Sequence, residues 1–147
     1  MAQPEAACID ASIFVKVLLP DERDPGVDAA WKSLLQADIP LFAPVLFRWE
    51  TSNAVLQAVR RGRITKSDAL ELLGEIVTAP ITVMPTGDLL LDAWRNFVLP
   101  FDMPAVYDSV YLALAHWLDC EFWTADRRLY RLVREALPWV RMVPPEA

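Results

Sequence analysis

Glycine, histidine and cysteine are scarce in this 147-residue chain, with four, one and two residues respectively. Each scarcity removes a class of chemistry. Gly26, Gly62, Gly74 and Gly87 form neither a phosphate-cradling loop nor a dinucleotide fingerprint. The single histidine, His116, lies between Ala115 and Trp117 on an apolar stretch, so it reads as a core or interface residue and leaves a Ser-His-Asp triad without its base. Cys8 and Cys120 are far apart in apolar, strand-like segments. With one histidine they make no ordinary zinc site, and they are expected to be buried, reduced thiols of a reducing compartment. No apolar run reaches the roughly 20 residues needed to span a bilayer. The opening Met-Ala-Gln-Pro-Glu-Ala-Ala lacks the basic start of a secretory signal. A cytoplasmic protein with no membrane segment is therefore expected. Basic charge is also in deficit, 14 Lys and Arg against 20 Asp and Glu, for a net charge of −6. Such a surface is a poor general binder of nucleic acid, so any such contact must come from local basic clusters.

What is present is apolar: 54% of residues, against 23% charged. This excludes disorder and leaves apolar surface over for a partner or for self-association as a homodimer. The length suits one domain, spanning residues 1–147. Strand-like runs at Ala6–Asp10, Pro40–Ala43, Ile81–Met84, Glu121–Thr124 and Val140–Val143 alternate with helical patterns. Ser12 is placed to cap a short helix that Pro20 ends. Further helices are predicted over 25–37, from Val45 to a stop at Gly62, from Thr65 to Thr78, from a Thr86 cap to Val98, over 105–118 and over 126–136. The alternation predicts an α/β fold around a mostly parallel sheet.

Four acids stand in or beside apolar stretches: Asp10, Glu50, Asp108 and Asp126. A carboxylate next to a core needs a partner, since an unpaired buried charge is costly. Ligands of parallel α/β sheets bind at the carboxyl ends of the strands. Asp10 ends the first strand, Asp126 follows the fourth, and Glu50 and Asp108 lie early in helices that begin at that edge. Hard oxygen donors converging there select Mg²⁺ or Mn²⁺. Each acid also has a local explanation. Asp126 fits a helix cap, and Asp108 fits a helix N-terminus. Glu50 fits an exposed position paired with Arg48 or Arg61, and Asp10 fits a turn.

The segments Cys8-Ile-Asp10-Ala-Ser12, Trp49-Glu50-Thr-Ser-Asn53-Ala-Val55, Tyr107-Asp108-Ser-Val-Tyr-Leu-Ala-Leu-Ala115 and Thr124-Ala-Asp126-Arg-Arg-Leu129 resemble the PIN-domain family, especially VapC-type toxins of toxin–antitoxin pairs. The resemblance covers nearly the whole chain in order. It implies a PIN-like three-layer α/β/α sandwich and a metal-dependent endoribonuclease that uses Asp10, Glu50, Asp108 and Asp126. It further implies support from Thr124, Ser12 and Asn53, a protein antitoxin as partner, and a dimer built partly from the helices between Val45 and Thr78. Asp10 and Asp108 are the expected direct ligands. Glu50 shares the ion or positions water, and Asp126 completes a second, weaker position or acts through ordered water.

An RNA substrate needs cations despite the net charge. Arg127 and Arg128 flank the expected site, with Arg131 and Arg134 on the same helix and Arg60, Arg61, Arg63 and Lys66 clustered elsewhere. The six tryptophans, at 31, 49, 94, 117, 123 and 139, are read as mostly core. Two rival readings share these features: a catalytically silent PIN-like module that binds RNA or protein, and a metal-dependent phosphatase or DNA nuclease. Asp10-Ala-Ser12 lacks the second aspartate of a haloacid-dehalogenase-type phosphatase.

Overall fold

The computed structural model describes residues 5–146. Five parallel strands form one sheet: β1 (Ala7–Ile9), β2 (Leu41–Pro44), β3 (Thr82–Met84), β4 (Glu121–Thr124) and β5 (Val140–Met142), in the order β3-β2-β1-β4-β5. In β1 every residue is fully buried, so both faces of the sheet are covered, as a parallel sheet requires. The helices are α1 (Ala11–Leu18), α2 (Pro25–Gln36), α3 (Leu46–Arg60), α4 (Lys66–Thr78), α5 (Leu90–Ala93), α6 (Tyr107–Trp117) and α7 (Arg127–Val133). Phe14 of α1 packs on Trp31 of α2 and Phe47 of α3, with ring centroids 5.6 and 5.5 Å apart, tying those helices into one layer. Helix α6 crosses β1, β2 and β4. There the Cys8 thiol donates to the Tyr111 carbonyl, and the Tyr111 ring packs 5.8 Å from Phe122. This is the expected three-layer α/β/α sandwich.

Local chemistry explains most element ends. Asp24 caps α2 by accepting from the amides of Gly26 and Val27, with Pro25 in the first turn. Thr65 and Asp68 form a reciprocal capping box at α4. Helix α3 ends at Gly62, whose φ of 72° is left-handed. The Gly62 amide then reaches Val59 and the Arg63 amide reaches Ala58, closing a Schellman motif. With so few glycines, the chain turns other left-handed corners with Asp38, Asp102 and Asp119, a residue type that tolerates this conformation.

Three expectations change. Ser12 does not cap α1; Asp10 holds the N-cap position and Ser12 turns its hydroxyl to other work. The segment from Thr86 to Val98 is not one helix, and Thr86 makes no side-chain cap. It runs as a 3₁₀ turn, the short α5 and a π-turn over Trp94–Val98, and the wider last turn brings consecutive Phe97 and Val98 inside. Only half of the tryptophans join the core: Trp31, Trp123 and Trp139 pack against it partly buried, whereas Trp49, Trp94 and Trp117 are exposed. His116 is likewise exposed and stacks on Trp139 at 6.2 Å. Cys8 is buried as expected, and Cys120 only half-buried; both are free thiols. No helix among the described residues is long and apolar enough to cross a membrane.

A Cβ at Gly62 or at Gly74 in α4 meets open space, so only backbone preference decides the effect of adding one. Gly62→Ala is expected to cost about 1 kcal/mol and Gly74→Ala to gain roughly 0.5–1 kcal/mol. Urea denaturation of the two variants measures this; shifts of the same sign would contradict the left-handed corner.

Candidate active site

The chain leaves β1 toward β2 on one side and leaves β4 toward β5 on the other. The divergence opens a crevice at the carboxyl ends of β1 and β4, the usual ligand position in such sheets. Asp10 follows β1 directly, and its amide donates to the Trp123 carbonyl at 2.9 Å, which extends the β1–β4 pairing by one step. Its side chain is buried, and Oδ2 accepts from both Ser12 Oγ and Thr124 Oγ1 at 2.7 Å. Each hydroxyl has one proton, and both protons go to Asp10. The hydroxyls' lone pairs in turn accept from backbone amides, Ser12 from Ala125 at 2.9 Å and Thr124 from Asp126 at 3.0 Å. Two amides thus orient two hydroxyls that together fix one carboxylate oxygen. Ser12 and Thr124, expected as supporting positions, both contact Asp10.

Glu50 enters from the second turn of α3, where its Oε1 accepts from the Tyr111 hydroxyl at 2.7 Å. The alternative partners Arg48 and Arg61 are not used. Burial pushes Glu50 up to about 7; the Tyr111 hydrogen bond opposes this, and the charges of Asp10 and Asp108 add to it. Asp108 lies in the first turn of α6. Burial pushes it up to about 6, with Asp10 and Asp126 adding and Arg128 opposing. Asp10 is itself raised by burial, held back by its two hydroxyl donors and raised again by Asp126. The four carboxylates are thus close enough to feel one another's charge, Asp10 with Glu50, Asp108 and Asp126, and Asp108 with Glu50 and Asp126. Asp126 also caps α7 by accepting from the Leu129 amide at 3.1 Å, so its local explanation holds beside its membership of the group.

Among the described residues, no ion pair reaches any of the four acids. Nor do any three acidic, histidine or cysteine side chains form a ready-made ligand group. Arg127 and Arg128 are exposed at the start of α7 and line, with Lys16 and Asp126, a depression of about 380 Å³. Of the other basic residues, Arg63 is spent on Asp21 and Glu22, Arg131 on Glu146, and Arg134 pairs with Glu135. Asn53 is exposed one turn beyond Glu50 on the rim of an apolar groove and takes no part in the hydrogen bonds around Asp10.

Tyr111 is the residue that sequence reasoning missed. Fully buried one turn after Asp108, it ties α6 to α3 through Glu50, and burial raises its own phenol far above the ordinary value. The signal available was its i+3 spacing from Asp108, which puts both on one helix face.

The fold is a parallel α/β domain with a group of acidic side chains at its switch point. A PIN-domain family model matches residues 7–135, and the chain belongs to the PIN-domain family. A toxin–antitoxin complex from Klebsiella pneumoniae superposes with a TM-score of 0.61 at 14% identity, over 96% of this chain and 99% of that one. VapC20 of Mycobacterium tuberculosis, a sarcin–ricin-loop-cleaving toxin, gives 0.57 at 16% identity, over 81% and 87%. At these identities the likeness is one of fold. No curated protein matched the sequence.

The raised acids set a pH dependence for the metal-free protein. Glu50 titrates near 7 against 4.5 in a free side chain, and Asp108 near 6 against 3.8. The native state therefore holds more protons than the unfolded chain across that window. The resulting stability is full below the unfolded values and lost as pH rises through the folded ones. Asp21, Asp68 and Glu146 have lowered values, so their opposite effect falls at more acidic pH. In chelator, the thermal midpoint is expected to rise as pH falls from about 8 to about 5, and this slope should shrink in Glu50→Gln/Asp108→Asn. A wild-type profile that is flat or rises with pH would refute the crowded-acid description.

Proposed function

We propose that the protein is an Mg²⁺- or Mn²⁺-dependent endoribonuclease and the toxin of a type II toxin–antitoxin pair, acting in the cytoplasm. The observation that carries this reading is the set of four mutually influencing carboxylates at the switch point, none of them in an ion pair among the described residues. An all-oxygen donor set fits these two ions, and Mg²⁺ in particular takes few protein ligands and keeps several waters, so an open group suits it. Asp10 and Asp108 would hold the ion, Glu50 would share it, and Asp126 would complete the set. A divalent ion so held supplies water of lowered pKa and offsets charge on phosphoryl oxygens. The neighbouring toxin–antitoxin complex and sarcin–ricin-loop-cleaving toxin support the same reading.

The chain's own residues have separable tasks. Ser12 and Thr124 lock Oδ2 of Asp10, which sets the carboxylate plane at the end of β1. Glu50 would share the ion or position an attacking water, while Tyr111 fixes which of its oxygens is engaged. Arg127 and Arg128 hold substrate phosphate beside Asp126, and Asn53 supports substrate at the rim. Between α3 and α4 runs a groove of about 720 Å³, lined by Trp49, Leu56, Val59, Leu70 and Leu73. Trp49 and Leu70 are each 72% exposed, far more apolar surface than a free helix pair needs. An amphipathic antitoxin helix fits such a groove, and the same helices serve a homodimer.

With Mg²⁺, wild-type protein is expected to cleave single-stranded RNA, and EDTA to stop it. Asp108→Asn should lower the rate by at least about a hundredfold, the upper end of what disturbing a metal site's outer partners costs, with an unchanged circular dichroism spectrum. Reversing both Arg127 and Arg128 to Glu should weaken RNA binding and flatten its salt dependence. Cleavage that survives EDTA or Asp108→Asn defeats the nuclease reading, and faster cleavage of DNA than RNA redirects it.

The groove is tested separately. Leu56→Glu/Leu70→Glu should convert a self-associating protein into a monomer by light scattering at micromolar concentration, and should abolish co-purification with the antitoxin. A wild-type monomer contradicts the dimer, and undiminished antitoxin capture contradicts the groove.

A further inference from the structure

Asp126 connects the four acids to a second feature, a depression of about 380 Å³ lined also by Lys16 of α1 and by Arg127 and Arg128 of α7. Three cations from two helices thus share one concavity. None of them forms an ion pair among the described residues, although Asp24 and Asp126 line the same depression. Both carboxylates are engaged elsewhere. Oδ1 of Asp24 accepts from the amides of Gly26 and Val27, and Oδ1 of Asp126 accepts from that of Leu129. Like charges gathered without counter-charges repel, so this grouping on a net acidic chain calls for an anion.

Lys16 is the informative member. It is half-buried in the last turn of α1. The carbonyl end of a helix accounts for a cation there, but not for its sharing a depression with two arginines from another helix. An ammonium held partly out of water with no carboxylate on it gains from a ligand that supplies negative charge. Position separates it from the cutting site. Asp10 caps α1 at its start, and Lys16 lies roughly 9 Å further along the helix axis at about 1.5 Å per residue. Lys16 pairs with none of the four acids. A phosphate that it holds is therefore a neighbour of the one at the acids and not the same one.

We propose that this depression seats an uncut phosphate of the RNA strand, next to the one being cleaved, and that Lys16 holds it together with Arg127 and Arg128. The arginines can grip phosphoryl oxygens as a fork, and the lysine adds a point charge from the other helix. The proposal rests on the ribonuclease reading and adds to it a third cation and a minimum substrate length. The strand must reach at least one phosphate past the cut.

Binding without cleavage tests the seat apart from the nuclease. Full-length Asp108→Asn protein in Mg²⁺ is titrated with UpU, which carries only the phosphate to be cut, and with hexauridylate, over a range of salt concentrations. Hexauridylate is expected to bind at least about threefold more tightly than UpU. Lys16→Gln should remove most of that gain and flatten the logarithmic salt slope for hexauridylate by about 0.7, the value for one phosphate of a single strand. Lys16→Arg should keep both. Arg95→Gln, which removes an exposed cation that does not line the depression, should leave the slope unchanged. The Lys16 variants should keep the wild-type thermal midpoint within a few degrees; if Lys16→Gln does not fold, Lys16→Met, which keeps the apolar stem, takes its place. An unchanged slope in Lys16→Gln overturns the proposal, as does Lys16→Arg binding as weakly as Lys16→Gln. Equal flattening in Arg95→Gln, hexauridylate held no better than UpU, or inorganic phosphate bound as tightly as hexauridylate overturns it too. Intact Mg²⁺-dependent RNA cleavage with binding indifferent to Lys16 removes the seat alone. Lys16-dependent binding by a protein whose wild type cleaves no RNA keeps the seat and removes the nuclease reading.

Discussion

Like charges crowded into a poorly solvated crevice repel, and that repulsion governs the site from which the rest of this protein is understood. Asp10, Glu50, Asp108 and Asp126 come from four different elements, and the fold alone holds them together. No arginine or lysine forms an ion pair with them among the described residues, so the burial of the sheet and its helices has to outweigh the electrostatic cost. The protein meets that cost unevenly. Asp10 is given two hydroxyl donors and Asp126 a backbone amide, whereas Glu50 has one phenol and Asp108 is left with the field of Arg128. Burial raises Asp10 despite its two donors, and pushes Glu50 to about 7 and Asp108 to about 6.

Much of the fold was legible because its signals are local. Pro20, Asp24, Gly62 and the Thr65–Asp68 box end or begin helices through bonds made within a few residues. The acids were legible for another reason: a carboxylate inside an apolar run contradicts its neighbours, and the alternation of strands and helices shows which edge it occupies. Tyr111 escaped because its hydroxyl's partner lies 61 residues away, and a tyrosine on an apolar helix contradicts nothing. The tryptophans misled for the converse reason. Spacing reports that a face is apolar, and an apolar face awaiting another surface reads the same as one already covered. The uneven helix before α6 was hidden because its π-turn answers to how Phe97 and Val98 pack, not to any cap or breaker in the segment.

The site and the apolar groove share an element. Helix α3 carries Glu50 toward the acids and, from the adjoining position, Trp49 toward the groove. Tyr111 joins that helix to α6, which carries Asp108 one turn earlier. Two acids thus depend on one phenol for their relative placement, and the groove is built on one of the two helices so joined.

Two of the four acids stand on very short connections, and Glu50 lies in the helix that follows another. Only Asp10 separates β1 from α1, only Val45 separates β2 from α3, and only Ala125 and Asp126 separate β4 from α7. Segments this short cannot swing, so the crevice has almost no lid to open or shut around its contents. Its conformational entropy is lost once, when the chain folds, and not again at each turnover. On the proposed nuclease reading, a site preorganised in this way is always armed, and restraint would come from outside it, through a molecule that covers it.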